Sequence, residues 1–193
     1  MVSNGLRVVV DDREKLPFAF ADERVYGGVT VTVGHLPTGD YSLWGLTHLV
    51  AVERKSLPDL VNYLGNERER FVREMIRGRG LESFAVVCEC TWQDLAQGQY
   101  RSALNPHSAC QSVASFVARF GIPFLFAGSR ASAEYVVWSL LKQYAEGQRR
   151  RWKAVERALA PKLSGASVAS KRVWVAPVQC DTSRAGSGRS ETL

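Results

Sequence analysis

From Ser83 to Gly147 the chain alternates short apolar runs with long amphipathic ones, and few folds accept that order. "SFAVVCEC" reads as a buried strand, "NPHSACQSVASFVARFG" as a helix opening at Pro106 and closing at Gly121, and "IPFLFAG" as a second strand. "SAEYVVWSLLKQYAEG" is then a last amphipathic helix closed by Gly147. Strand, helix, strand, helix predicts a right-handed parallel crossover, because the helix carries the chain back to the end of the sheet where the first strand began. Upstream, "LRVVVD", "GGVTVTV", "GDYSLW" and "HLVAVERK" are β-branched runs divided by Gly34, Pro37 and Gly39. Their connections look too short for crossover helices, so an antiparallel meander is expected there. Ser56 is a candidate N-cap, and "NERERFVREMIRGRG" predicts a helix with Phe71, Met75 and Ile76 on one side. The expectation is an α/β domain over residues 5–147, a mixed sheet flanked by helices, followed by a C-terminal tail over residues 148–193.

The net charge is +6, yet residues 1–146 hold 15 Lys/Arg against 16 Asp/Glu, so the excess belongs to the tail. That tail starts "QRRRWKAVERALA", expected to prolong the last helix to about Ala160, and becomes rich in Ser, Ala and Gly, a composition expected to be flexible. "RVWVAPV" within it is a candidate short strand. No apolar run approaches the roughly 20 residues that span a bilayer. "MVSNGLR" lacks the apolar core of a signal peptide, so a cytoplasmic, intracellular protein is expected. Cys88, Cys90, Cys110 and Cys180 form no C-x-x-C pair and are read as free thiols, and His35, His48 and His107 as structural or surface residues.

"VERK" closes the fourth strand with three consecutive charges. On a strand Glu53 and Lys55 share one face while Arg54 points away. Taken alone, an E-x-K is most simply a carboxylate neutralised by its neighbour. The context adds Asp40 at the head of the adjoining strand and Asp11 at the end of the first, both able to reach the same sheet edge. Three carboxylates and a lysine gathered there would repel and desolvate one another without a cation. A hard divalent ion such as Mg²⁺ suits oxygen ligands and bridges to phosphate oxygens. Lys55 could then help deprotonate a water or stabilise charge on a phosphate.

These residues carry a resemblance. "GDY" followed by "VERKSLPDL" is similar to the G-D…E-R-K-x-x-x-D signature of the XPF-type nuclease domain of the XPF/Mus structure-specific DNA endonucleases. "VVVDDRE" resembles that family's V-D-x-R-E, and "NERERFVREM" its following helix, with Arg70 in the place of a DNA-facing arginine. The resemblance covers about residues 7–146 and implies a restriction-endonuclease-like fold that cleaves branched or flapped DNA with Mg²⁺ or Mn²⁺. It implies Asp40 and Glu53 as principal metal ligands, Asp11 as an outer or additional one and Lys55 as the water-activating base. Glu14, Arg54 and Asp59 become supporting residues, Asp59 doubling as a helix-start acid, and Arg13 belongs to the matched motif as a candidate DNA contact. The hairpin glycines of the family's helix-hairpin-helix module are not found, which implies a stand-alone form. Arg149, Arg150, Arg151 and Lys153 are candidate phosphate contacts, with a solvated helix end as the alternative. Trp152 and Trp174 are candidates for stacking on unpaired bases or for packing. Tyr135, Val136, Trp138, Leu141 and Tyr144 suit either a homodimer seam or an ordinary core face. A non-catalytic DNA-binding scaffold of the same fold is the second reading. A nucleotide phosphohydrolase ranks last, for want of a glycine-rich phosphate cradle.

Overall fold

In the computed structural model, which describes residues 5–159, six strands form one mixed sheet in the order β2-β1-β3-β4-β5-β6. They are β1 (Arg7–Asp11), β2 (Thr30–Gly34), β3 (Tyr41–Leu43), β4 (Val50–Lys55), β5 (Ser83–Cys88) and β6 (Phe124–Phe126). The helices are α1 (Glu23–Tyr26), α2 (Leu57–Leu64), α3 (Arg68–Gly78), α4 (Trp92–Ala96), α5 (Pro106–Phe120) and α6 (Arg130–Leu159). The candidate strand "RVWVAPV", Trp174 and Cys180 lie outside the described residues.

The second half of the sheet is the expected crossover, with β4, β5 and β6 parallel. Asn105 caps α5 by accepting from the Ser108 N–H at 3.2 Å, Pro106 opens it, and Gly121 ends it in the left-handed conformation at φ 68°. The first half departs from a meander. β1 pairs antiparallel with β3, and β3 with β4, but β2 lies parallel to β1 at the edge of the sheet. The stretch from Asp12 to Val29, with the one-turn α1 inside it, is long enough to carry the chain back across the sheet before β2 starts. Ala51, Val86 and Cys88 face a core built with α2, α3 and α5. Val8, Val10, Val50 and Val52 face α6 through Val137, Trp138 and Leu141 on the other side. Helices on both faces explain why β4 is buried along its whole length.

Two helices differ from expectation in detail. On α3 the buried positions are Phe71, Met75 and Gly78, a spacing of four and three, whereas Ile76 is 57% exposed. α6 passes through Gly147 without stopping and runs to Leu159, close to the predicted Ala160. Of the five α6 residues suited to a dimer seam, Trp138 and Leu141 are buried against this chain's own sheet and Val136 and Tyr144 pack beside them. Tyr135 alone of the five is exposed, at 51%. Cys88, Cys90 and Cys110 are free thiols, as expected.

Candidate active site

Because β1, β4 and β5 run in one direction and β3 in the other, the C-terminal ends of the first three meet the start of β3 at one sheet edge. The crevice beyond the carboxyl ends of strands is where open α/β sheets place ligands. Here it is a cleft of ≈ 530 Å³ lined by Asp11, Arg13, Glu14, Asp40, Glu53, Arg54, Lys55, Asp59 and Arg70, so one depression gathers nine of the residues singled out from the sequence.

Asp40 is held by its backbone and its carboxylate together. Its N–H donates to the Val52 carbonyl at 2.9 Å, and its Oδ2 accepts the Arg54 N–H at 2.7 Å, which locks the head of β3 to the end of β4. Gly39 before it adopts φ 78°, and an added Cβ would stand 2.8 Å from the Ala51 Cβ, so only glycine lets the chain approach β4 this closely. Glu53 and Lys55 lie 3% and 5% exposed on the face toward α2 and α3. The Lys55 ammonium donates to Glu53 Oε1 and sits 4.0 Å from the centre of the Tyr63 ring. Glu53 Oε2 is buried and receives no hydrogen bond from any N–H or hydroxyl group among the described residues, and the Glu74 carboxyl is the one group that hydrogen-bonds Glu53 beside Lys55. Thr38 Oγ1, on the rim of the same cleft, is buried without a partner as well.

Arg54 points to the opposite face, as the strand alternation requires. It donates through Nε and Nη2 to Glu14 at 3.0 and 3.1 Å and through Nη1 to Glu89 at 2.9 Å. Glu89 also accepts from Arg130 at 2.8 Å, and Arg130 reaches the Leu16 carbonyl at 2.7 Å, fastening the start of α6 to the loop that carries Glu14. The Tyr41 hydroxyl, accepting the Phe18 N–H at 2.9 Å, holds the same loop from below. Asp11 lines the cleft, but its carboxylate accepts from Arg13 Nε at 2.6 Å, Arg13 Nη2 at 3.0 Å and the Leu36 N–H at 2.7 Å. Asp11, Asp12 and His35 bring ligand atoms within 4.8 Å of one another. Arg13 already supplies the positive charge for Asp11 there. Asp59 is the third residue of α2, where its carboxylate accepts from the Ser56 hydroxyl at 2.6 Å. Arg70, on α3, pairs with Glu67 at 2.9 Å and lies 5.5 Å from the Tyr63 ring. Arg149, Arg150, Arg151 and Lys153 are exposed on α6 and do not line this cleft.

Sequence reasoning missed Glu74. It enters the cleft from α3, three residues after the buried Phe71, and burial with the nearby charge of Glu53 pushes its carboxyl up to about 8. Its position immediately before buried Met75 was the available signal. Burial and the Glu53 charge likewise raise Asp40 well above the usual carboxylate range, against the pull of Lys55. Burial alone would lower the Lys55 ammonium, but Glu53, Glu74 and Asp40 outweigh it and hold the proton firmly. In Asp11 burial raises the carboxyl, and the hydrogen bonds from Arg13 and Leu36 outweigh it and leave the group below its ordinary value.

These shifts set a pH dependence for the metal-free protein. The unfolded chain releases the Glu74 proton at the ordinary carboxylate value, while the folded chain keeps it to about 8. Between those limits the folded state binds more protons, so stability falls as pH rises, and Asp40 acts with the same sign. Thermal unfolding in chelator is expected to show a declining Tm from about pH 5 to 8. A Tm that climbs steadily over that range in chelator would contradict the charge balance described.

One sheet edge thus gathers Asp40, Glu53 and Glu74 around the buried Lys55, with Arg54 framing them, on an α/β, restriction-endonuclease-like scaffold. The chain belongs to the ERCC4 domain family, whose model matches residues 10–140, and the domain is of the XPF nuclease type. Among solved structures, XPF from Aeropyrum pernix superposes with a TM-score of 0.56 at 23% identity, over 78% of this chain and 73% of that one. XPF from Aeropyrum pernix in complex with DNA gives a TM-score of 0.55 at 23% identity, over 74% of this chain and 66% of that one. Among curated proteins, none matches the sequence. No helix among the described residues is long and apolar enough to cross a membrane.

Proposed function

We propose that the chain is a metal-dependent endonuclease that hydrolyses phosphodiester bonds in branched DNA such as flaps and forks. The observation that carries this reading is Glu53, buried, with Lys55 as its one cation, beside Asp40 and Glu74, whose ionisation its charge opposes. Such a site lacks one positive charge, and its donors are all carboxylate oxygens, which fits Mg²⁺ or Mn²⁺. Asp40 and Glu53 would hold the ion, which would supply Lewis-acid stabilisation of phosphate charge and a more acidic water. Glu74 lines the cleft against Glu53, while Asp11 serves by orienting Arg13 toward the DNA backbone. Lys55, placed against Glu53 at the base of the cleft, would donate a hydrogen bond to a phosphoryl oxygen as charge builds there or take the proton of the attacking water. Arg54 keeps Glu14 and Glu89 in place on the far side of the strand, and Arg70 and Arg13 supply phosphate contacts at the rim.

The family and the DNA complex of a similar structure support DNA as the partner. The scaffold reading is weaker, because both carboxylates and the lysine are present in one cleft. Incubating the protein with end-labelled 3′-flap, fork and plain duplex should give Mg²⁺- or Mn²⁺-dependent nicks on the first two and little on the third. Absence of nicking on all three with either metal, with DNA binding intact, would leave the scaffold.

A further inference from the structure

The far end of the molecule carries a second set of cations that the cleft does not use. α6 leaves the cleft edge at Arg130, and 21 residues later Arg151 donates to Glu82, just before β5 begins. At 1.5 Å per residue that is roughly 31 Å. Along it lies a groove of ≈ 380 Å³ between α6 and α1, lined by Arg24, Tyr26, Trp138, Lys142, Glu146 and Arg149 among others. Arg24, Lys142 and Arg149 have no carboxylate partner among the described residues, and Glu146 is the one acid in the lining. Arg151, by contrast, is tied to Glu82.

The groove also has an aromatic wall. Tyr26 and Trp138 meet edge to face at 5.6 Å, and the Lys142 ammonium lies 4.5 Å above the Trp138 ring. Tyr135, one turn earlier on α6, leans on Trp138 at 5.5 Å and leaves half its surface open. Trp138, Lys142, Arg149 and Lys153 follow Tyr135 at helical spacing, so aromatic groups and cations form one stripe leading away from the cleft.

We propose that this groove binds the single-stranded arm of a branched DNA. Three unpaired cations in a row suit a phosphodiester backbone. An exposed ring beside them suits an unpaired base, whereas a duplex keeps its base faces stacked inside and has nothing to lay on Tyr135. The groove's α6 wall runs from Trp138 to Arg149, roughly 12 to 28 Å along the helix from Arg130, so a strand leaving a junction at the cleft reaches it within a few nucleotides. The proposal rests on the nuclease reading for the junction, but the groove can be tested apart from it.

The test uses the full chain in chelator, where nothing is cut, with fluorescein-labelled dT15 and a blunt duplex of equal length, read by anisotropy over a salt series. Arg24→Glu on α1 and Lys142→Glu with Arg149→Glu on α6 are each expected to weaken dT15 binding at least tenfold and duplex binding much less. Replacing all three by Ala should reduce the salt slope for dT15 by about 2, at roughly 0.7 per phosphate contact. Tyr135→Ala should cost fivefold or more while Tyr135→Phe keeps the affinity. Unchanged Tm would show that the variants fold. Unchanged dT15 affinity, or equal loss on both probes, would overturn the groove. So would a wild-type dimer that these substitutions split without touching dT15 affinity. If wild type nicks no junction but dT15 binding still depends on these residues, the nuclease reading fails and the groove stands.

Discussion

Asp40→Asn is expected to abolish cleavage and stabilise the metal-free protein at once. The amide keeps an oxygen to accept the Arg54 N–H, now at 2.7 Å, so the junction of β3 and β4 survives. It removes the charge that burial and Glu53 oppose, and relief of that repulsion should raise Tm at pH 8. The same change removes one of the two carboxylates proposed to hold the ion. A loss of about 4 kcal/mol in transition-state stabilisation corresponds to roughly 10³-fold in rate. DNA binding in chelator should persist or improve, since a negative charge leaves the path of the phosphates. Nicking rates, anisotropy and thermal unfolding on one preparation check all three outcomes. Full activity would end the metal assignment, and a coupled loss of activity and fold would make Asp40 a structural residue.

Arg54→Ala is expected to be the most destabilising single change at the site. The guanidinium is 9% exposed and joins two acids, with the Glu14 side chain 4% exposed and that of Glu89 14%. Its removal leaves Glu14 enclosed without a cation and Glu89 with Arg130 alone, and a stranded buried charge costs about 3–5 kcal/mol in comparable pairs. For a domain of this size that lowers Tm by on the order of 10 °C. Adding Glu14→Gln to the variant should recover much of the loss, since the damage comes from the stranded Glu14 charge. A drop under 1 kcal/mol for Arg54→Ala, measured by denaturant unfolding, would mean that the frame contributes little.

Much of this arrangement could be read from local pattern. The crossover from β5 to β6 followed from period and length, and the alternation along β4 correctly sent Glu53 and Lys55 to one face and Arg54 to the other. The order of the first strands was not legible, because Val-Thr alternation marks a strand without saying which neighbour it joins. Only the length of the stretch between β1 and β2 held that information. The cleft showed the same division. Asp40, Glu53 and Lys55 stand near one another along the chain and could be grouped, whereas Glu74 and Glu89 arrive from other elements and meet the site only through tertiary packing. The partners of Asp11 were hidden too, since the Leu36 N–H that occupies its carboxylate comes from a loop 25 residues away. Likewise, the apolar residues of α6 signalled burial but not whether this chain or a second copy would cover them.

Glu14, Arg54, Glu89 and Arg130 form a row of alternating sign in which each interior member touches both neighbours. A row of this kind has parity. One exchange at either end leaves an odd charge inside, while a matched pair of exchanges does not. Drift at these four positions among kindred chains should therefore proceed by twos, with a lost acid at 89 accompanied by a lost base at 54 or 130.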